Sequence, residues 1–123
     1  MPKKIFICDD DPDIVEMLEI VLDLPELKLL SETDSRKAYQ RIAKEEPDLV
    51  LMDLWMPVIS GDTVLKEIRA SSELKALPVI IMSASKDGHR IAMEAGANDY
   101  IAKPFDIDIL ISKITDMLSS GSS

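Results

Sequence analysis

Four sets of polar residues stand where this chain could do chemistry: Asp9-Asp10-Asp11, Asp53, Ser83 and Lys103. Each directly follows a short apolar segment, respectively Lys4–Cys8, Asp48–Met52, Pro78–Met82 and Asp99–Ala102. Carboxylates held a few ångströms apart repel and raise one another's pKa. A hard dication relieves that repulsion, and an all-oxygen ligand set suits Mg²⁺, which keeps several waters and uses one or two carboxylates plus phosphate oxygens. A carboxylate can also act as a nucleophile and form an aspartyl phosphate. Phosphoryl transfer depends mostly on positioning and charge neutralisation, which an ammonium and a hydroxyl donor would complete.

That chemistry requires the four sets to converge, so the elements between them must place them together. Lys4–Cys8, Asp48–Met52 and Pro78–Met82 are nearly continuous in apolar residues, as strands covered on both faces are. Lys28–Ser31 and Asp99–Ala102 are weaker strand candidates. Helical spacing appears in Ile14, Leu18, Val21 and Leu22, in Ala38, Tyr39, Ile42 and Ala43, and in Val64, Leu65 and Ile68. Ile91, Ala92 and Ala95 form a fourth stripe, and Ile107, Leu110, Ile111, Ile114 and Leu118 a fifth. Asp11 suits an N-cap with Pro12 at the first helical position and Glu16 nearby. Pro47 and Pro78 introduce strands, and Gly96 stands where a C-terminal cap belongs.

Five strands alternating with five helices predict an α/β fold, a doubly wound parallel sheet with helices on both faces. Such sheets gather their sites at the carboxyl ends of strands. The four polar sets therefore share one edge. Singly each has an ordinary explanation: Asp11 is assigned to capping, a lone lysine or serine to a surface or a loop. Cys8 reads as a small core residue and His89 as an exposed residue of the fourth helix, while Trp55 is either a partner anchor or partly buried near the site. Four strand ends each supplying the needed residue type is what the ordinary explanations leave unexplained.

The composition narrows the classes further. At 123 residues the chain has the size of one domain, and 46% apolar content supports a core. A formal net charge of −9 argues against binding a nucleic-acid backbone or an anionic membrane. One cysteine excludes an internal disulfide. The first apolar run is too short for a signal peptide, and a span needs about 20 residues, so a cytoplasmic location is expected. Residues 119–123 read as a flexible tail or the start of a linker.

With these motifs in place the chain resembles the receiver domain of two-component response regulators. The resemblance runs from about Lys3 to Leu118, so the domain is taken as residues 1–118. It rests on Cys8-Asp9-Asp10-Asp11-Pro12, on Met52-Asp53-Leu54-Trp55-Met56-Pro57 with Gly61 beyond, on Met82-Ser83-Ala84, and on Asp99-Tyr100-Ile101-Ala102-Lys103-Pro104-Phe105. It implies a flavodoxin-like fold. By resemblance, Asp53 is the phosphoacceptor, and Asp9, Asp10, Asp53 and the backbone carbonyl of Trp55 hold Mg²⁺. Ser83 bonds the phosphoryl oxygen, Lys103 pairs with it, Pro104 follows a cis peptide bond, and Tyr100 is the aromatic that turns inward on activation. The donor implied is a sensor histidine kinase or a histidine phosphotransfer protein. The output face comprises the fourth helix, fifth strand and fifth helix, acting on a downstream protein or an effector domain lost from a longer chain, with dimerisation on activation open. The product is a signal, so the domain is read as a switch with weak self-phosphorylation and self-dephosphorylation rather than as an enzyme.

Ser60 departs from the Asp that many members carry before the glycine, and Trp55 and Ser85 occupy positions that tune hydrolysis. A bulky Trp55 screening the attacking water would make the phosphorylated form long-lived. Two alternatives stay open. Asp9-x-Asp11 is similar to the opening motif of haloacid-dehalogenase-type phosphohydrolases, although Asp13 stands where Thr or Val is usual and the length leaves no room for a substrate cap. A receiver-like module that docks partners without phosphorylation is the other.

Overall fold

In the computed structural model, which describes residues 2–121, strands and helices alternate throughout. The strands are β1 (Lys3–Cys8), β2 (Leu27–Glu32), β3 (Leu49–Asp53), β4 (Val79–Ser83) and β5 (Asp99–Ala102). The helices are α1 (Pro12–Val21), α2 (Ser35–Glu45), α3 (Gly61–Ala70), α4 (Gly88–Ala95) and α5 (Ile107–Gly121). All paired strands run parallel, in the order β2-β1-β3-β4-β5. This is the expected flavodoxin-like architecture, and its chain direction across the sheet reverses between β1 and β3.

Two cores explain why the central strands are apolar at every position. On one face Phe6, Val50, Met52, Val79 and Ile81 pack against Ala38 and Ile42 of α2, Val64, Leu65 and Ile68 of α3, and Ala92 and Ala95 of α4. On the other, Ile5, Ile7, Leu49, Leu51, Ile80 and Met82 pack against Val15, Leu18 and Leu22 around α1 and against Leu110 and Ile114 of α5. Alternate residues of one strand thus serve opposite cores. Burying one such side chain fully stabilises the fold by about 1.5–3 kcal/mol. The two weak strand candidates, β2 and β5, are the sheet edges, where no β2 residue and only Ile101 of β5 is buried.

The caps follow the sequence signals. Asp11 accepts from Asp13 N–H at 2.9 Å with Pro12 opening α1. Asp34 caps α2 through Arg36 N–H at 3.0 Å. Gly96 ends α4 with φ 104°. Some boundaries differ from expectation. β3 and β4 begin one residue later than predicted, and they also end one residue later because the ladder continues past the apolar run: Leu54 N–H donates to Met82 C=O at 2.9 Å. Ala43 is exposed, and Ile107 is 42% exposed at the start of α5, off the buried stripe. Helix α5 extends through Gly121, taking in residues 119–121 of the expected tail, since serine does not by itself stop a helix. Residues 122 and 123 of that tail lie outside the described residues. Among the described residues no helix is long and apolar enough to cross a membrane.

Gly96 offers a check on this packing. A Cβ there would meet Arg69 Cγ at 3.0 Å on a left-handed backbone, and Arg69 Nε donates to the Gly96 carbonyl at 2.8 Å. Gly96→Ala is expected to lower stability by about 1–2 kcal/mol, read by urea unfolding. A loss near zero would mean that the α4–β5 corner is not held as described.

Candidate functional site

The parallel register carries each polar set to the same edge. Cys8 is level with Met52, so Asp9 is level with Asp53. Asp53 is level with Met82, one residue short of Ser83. Ser83 is level with Ala102, so Lys103 comes one step beyond it. The site sits at the carboxyl ends of β1 and β3, at the point where the strand order reverses.

Burial makes the arrangement electrostatically demanding. Asp9 is fully buried and Asp53 only 5% exposed, while Asp10 is exposed at the rim. Carboxylate oxygens of Asp9, Asp10 and Asp53 all lie within 4.8 Å of one another. Lys103 Nζ lies between two of them, 2.8 Å from Asp9 Oδ2 and 3.0 Å from Asp53 Oδ1. Asp9 Oδ1 also accepts from Asp11 N–H at 3.0 Å. Burial pushes the Asp53 carboxyl from an ordinary 3.8 up to about 6; Asp9 and Asp10 push the same way, and the Lys103 ammonium opposes them. Burial also opposes the Lys103 charge, but its bonds to Asp9 and Asp53 prevail and hold its pKa above the ordinary lysine value.

These residues fit a divalent cation. Three carboxylates against one ammonium leave two negative charges uncompensated, and the donors are hard oxygens. Trp55, whose carbonyl the resemblance makes a further ligand, lies two residues beyond Asp53, with its side chain 52% exposed. The β3–α3 loop is folded back tightly: Gly61 N–H donates to Leu54 C=O at 2.7 Å, and a Cβ on Gly61 would fall 2.2 Å from the Asp53 carbonyl oxygen. Only glycine permits that approach.

Ser83 is buried, and its Oγ accepts from Ser85 N–H at 3.0 Å. Tyr100 is half-buried, and its hydroxyl donates to the Ser83 backbone carbonyl at 2.9 Å. Sequence reading missed two neighbours of this pair. Gly88 opens α4 so close that a Cβ would lie 2.8 Å from Ser83 Oγ and 2.9 Å from the Tyr100 hydroxyl. The His89 ring stacks on Tyr100, centroids 5.1 Å apart and planes 15° from parallel. A glycine at a helix start is a weak signal, and nothing in the spacing announces the stack. Cys8 is buried, with its thiol pushed by burial up to about 12, and reads as core. The Lys103–Pro104 bond is cis. A groove along α5 beside the Lys113–Asp99 ion pair lies elsewhere and gathers no comparable set of reactive groups.

Known proteins resemble this chain in both sequence and structure. The family model described as response regulator receiver domain matches residues 5–115. The transcriptional regulatory protein KdpE of Staphylococcus aureus is 34% identical over 116 residues, covering 93% of this chain and 49% of KdpE. The chain spans about half the length of the curated relatives it matches. A protein of Chloroflexus aurantiacus J-10-fl assigned as a response regulator superposes with TM-score 0.91 at 33% identity, covering 97% of this chain and 99% of that one. The receiver domain of sensor histidine kinase PA1611 of Pseudomonas aeruginosa PAO1 superposes at TM-score 0.88 and 27% identity, over 97% and 99% of the two chains, and has a magnesium ion coordinated in its active site cleft.

The raised Asp53 pKa links the site to stability. Unfolded, this carboxyl loses its proton near 3.8; folded, near 6. Between those values the native chain binds the extra proton, so stability falls as pH rises, and the full penalty applies above about pH 6. Asp53→Asn is expected to raise unfolding free energy by about 1–2 kcal/mol at pH 7.5, less than the whole penalty because Lys103 loses a partner. The gain should fade below pH 4. Urea titrations at both pH values test this, and a variant less stable at pH 7.5 would refute it.

Proposed function

This chain belongs to the response regulator receiver domain family, and we propose that it works as a phosphoryl-accepting switch with Asp53 as the acceptor. The observation that carries the proposal is the shared contact of Lys103 Nζ with Asp9 and Asp53, inside a cluster that also includes Asp10. The donor proposed is a phosphohistidine on a sensor histidine kinase or a histidine phosphotransfer protein.

Asp53 Oδ attacks phosphorus in line; the P–O bond forms as the P–N bond to the donor imidazole breaks, and the imidazole takes up a proton. Asp9, Asp10, Asp53 and the Trp55 carbonyl would hold Mg²⁺, which supplies neutralisation and alignment of the phosphoryl oxygens. Lys103 already contacts Asp53, 3.0 Å from its Oδ1, where it can pair with a phosphoryl oxygen carried on that carboxylate. Ser83 Oγ accepts from Ser85 N–H and keeps its own proton to donate to a phosphoryl oxygen, and Tyr100 follows any movement of Ser83 because its hydroxyl is tied to the Ser83 carbonyl. The change then reaches α4, β5 and α5, the surface proposed to control a downstream protein or an effector domain.

Magnitudes limit what each bond can do. Moving the active fraction from one in a hundred to ninety-nine in a hundred takes about 5.5 kcal/mol of differential stabilisation. One charge-assisted hydrogen bond contributes roughly 1.5–3 kcal/mol. Ser83 alone cannot complete the shift; Lys103, the cation and the partner must share it.

Two measurements test the reading. Treatment with acetyl phosphate and Mg²⁺ is expected to add one phosphoryl group, seen by intact mass, and Asp53→Asn should abolish the adduct. Label on Asp9 would instead favour the hydrolase alternative, and no adduct the docking module. Separately, millimolar Mg²⁺ should raise the melting temperature of the wild type, because it binds the assembled site and not the unfolded chain; an unmoved curve would count against the cation site.

A further inference from the structure

The loop leaving β3 has a strained tip. Ile59 N–H donates to the Pro57 carbonyl at 2.9 Å, and Val58 between them has φ 73°. A three-residue turn with positive central φ is the rare, strained form of the γ-turn, and a β-branched residue there is a steric outlier. The Val58 side chain is 80% exposed, so no core packing holds it in place. Ser35, the first residue of α2, reaches this tip from another part of the chain. It is 4% exposed, and its hydroxyl donates to the Pro57 carbonyl at 2.5 Å while accepting from Ile59 N–H at 3.2 Å. One hydroxyl therefore bridges both ends of the strained turn, engaging the same donor and acceptor that close it.

We propose that Ser35 is a positioning residue for the cation and acceptor site: it clips the Val58 turn and thereby fixes the backbone of Trp55 beside Asp53. Its consequence for Mg²⁺ rests on the function proposed above. The loop is pinned on both sides of Trp55. Leu54 C=O is held by Gly61 N–H, and Met56 is buried with its sulfur 3.6 Å from Cys8 Sγ, one residue before Asp9. The Ser35 clip comes next along the chain, at Pro57. Releasing it would let the turn relax and lower the fraction of loops with the Trp55 carbonyl in place, which weakens apparent cation affinity by that fraction.

The test compares wild type, Ser35→Ala, Val58→Gly and the double variant. Mg²⁺ binding is followed by Trp55 fluorescence, and amide hydrogen exchange at Ile59 is followed without Mg²⁺. Ser35→Ala is expected to speed Ile59 exchange and to raise the Mg²⁺ dissociation constant, each about 2–10-fold, the worth of one or two neutral hydrogen bonds. Glycine accepts positive φ without strain, so in the Val58→Gly background the same substitution should change Mg²⁺ affinity by less than about twofold. Unchanged Ile59 exchange overturns the proposal. So does a lower melting temperature with unaltered Mg²⁺ affinity, or an equal loss of affinity in both backgrounds. A wild type that shows no response to Mg²⁺ counts against the proposed function, and Ile59 exchange then decides the role of Ser35 alone.

Discussion

The rest of the structure depends on holding Asp9 and Asp53, two nearly buried carboxylates, against a single ammonium. Lys103 contacts both, and a third carboxylate, Asp10, stands beside them at the rim. Buried charges are tolerated only when paired, so the elements that deliver these three side chains cannot drift. The delivery is done by the parallel ladder. β1, β3 and β5 present Asp9, Asp53 and Lys103 at one edge because their registers are locked by cores on both faces of the sheet. A slip of one residue would turn an apolar side chain into the site and a carboxylate into a core.

The site is stabilised only in part by its own contacts. Asp53 carries a pKa raised to about 6, which means that the fold holds its charged form against a penalty. The loop next to it contains a β-branched residue at positive φ. Both are local costs carried by the surrounding scaffold. A cation would offset the excess negative charge, and a phosphoryl group would give Lys103 and Ser83 new partners. Family membership adds weight to this reading: the match covers residues 5–115, and a relative of the same fold has magnesium in the corresponding class of cleft.

Little separates the site from the surface around Ser83 and Tyr100. Ser83 is joined to Tyr100 through its backbone carbonyl, Tyr100 is stacked on His89, and Gly88 lets α4 begin against both. A change at Ser83 thus has a short contiguous path of packed groups to the α4–β5 surface.

Most of the fold and most of the residues that line the site were legible in the sequence, for a simple reason. Apolar runs of strand length and stripes of helical period report burial directly, and parallel topology turns the residue after each run into a neighbour of the others. That placed Asp9, Asp10, Asp53, Ser83 and Lys103 on one edge before any coordinates. The ends of β3 and β4 were off by one because polarity changes before the hydrogen-bond ladder ends. Ile107 misled because its spacing fits the stripe while its place at the start of α5 leaves it uncovered. Ser35 on the Pro57–Ile59 turn, Gly88 against Ser83, and His89 on Tyr100 left no trace in the pattern. Each is a single contact between residues of different elements or between a loop and a helix end, with no period to repeat it. The sequence by itself determined which residue types the edge would hold. Only the tertiary structure decided which ordinary residues hold that edge in shape, because contacts made once across the fold depend on how the elements pack and not on the order in which they occur.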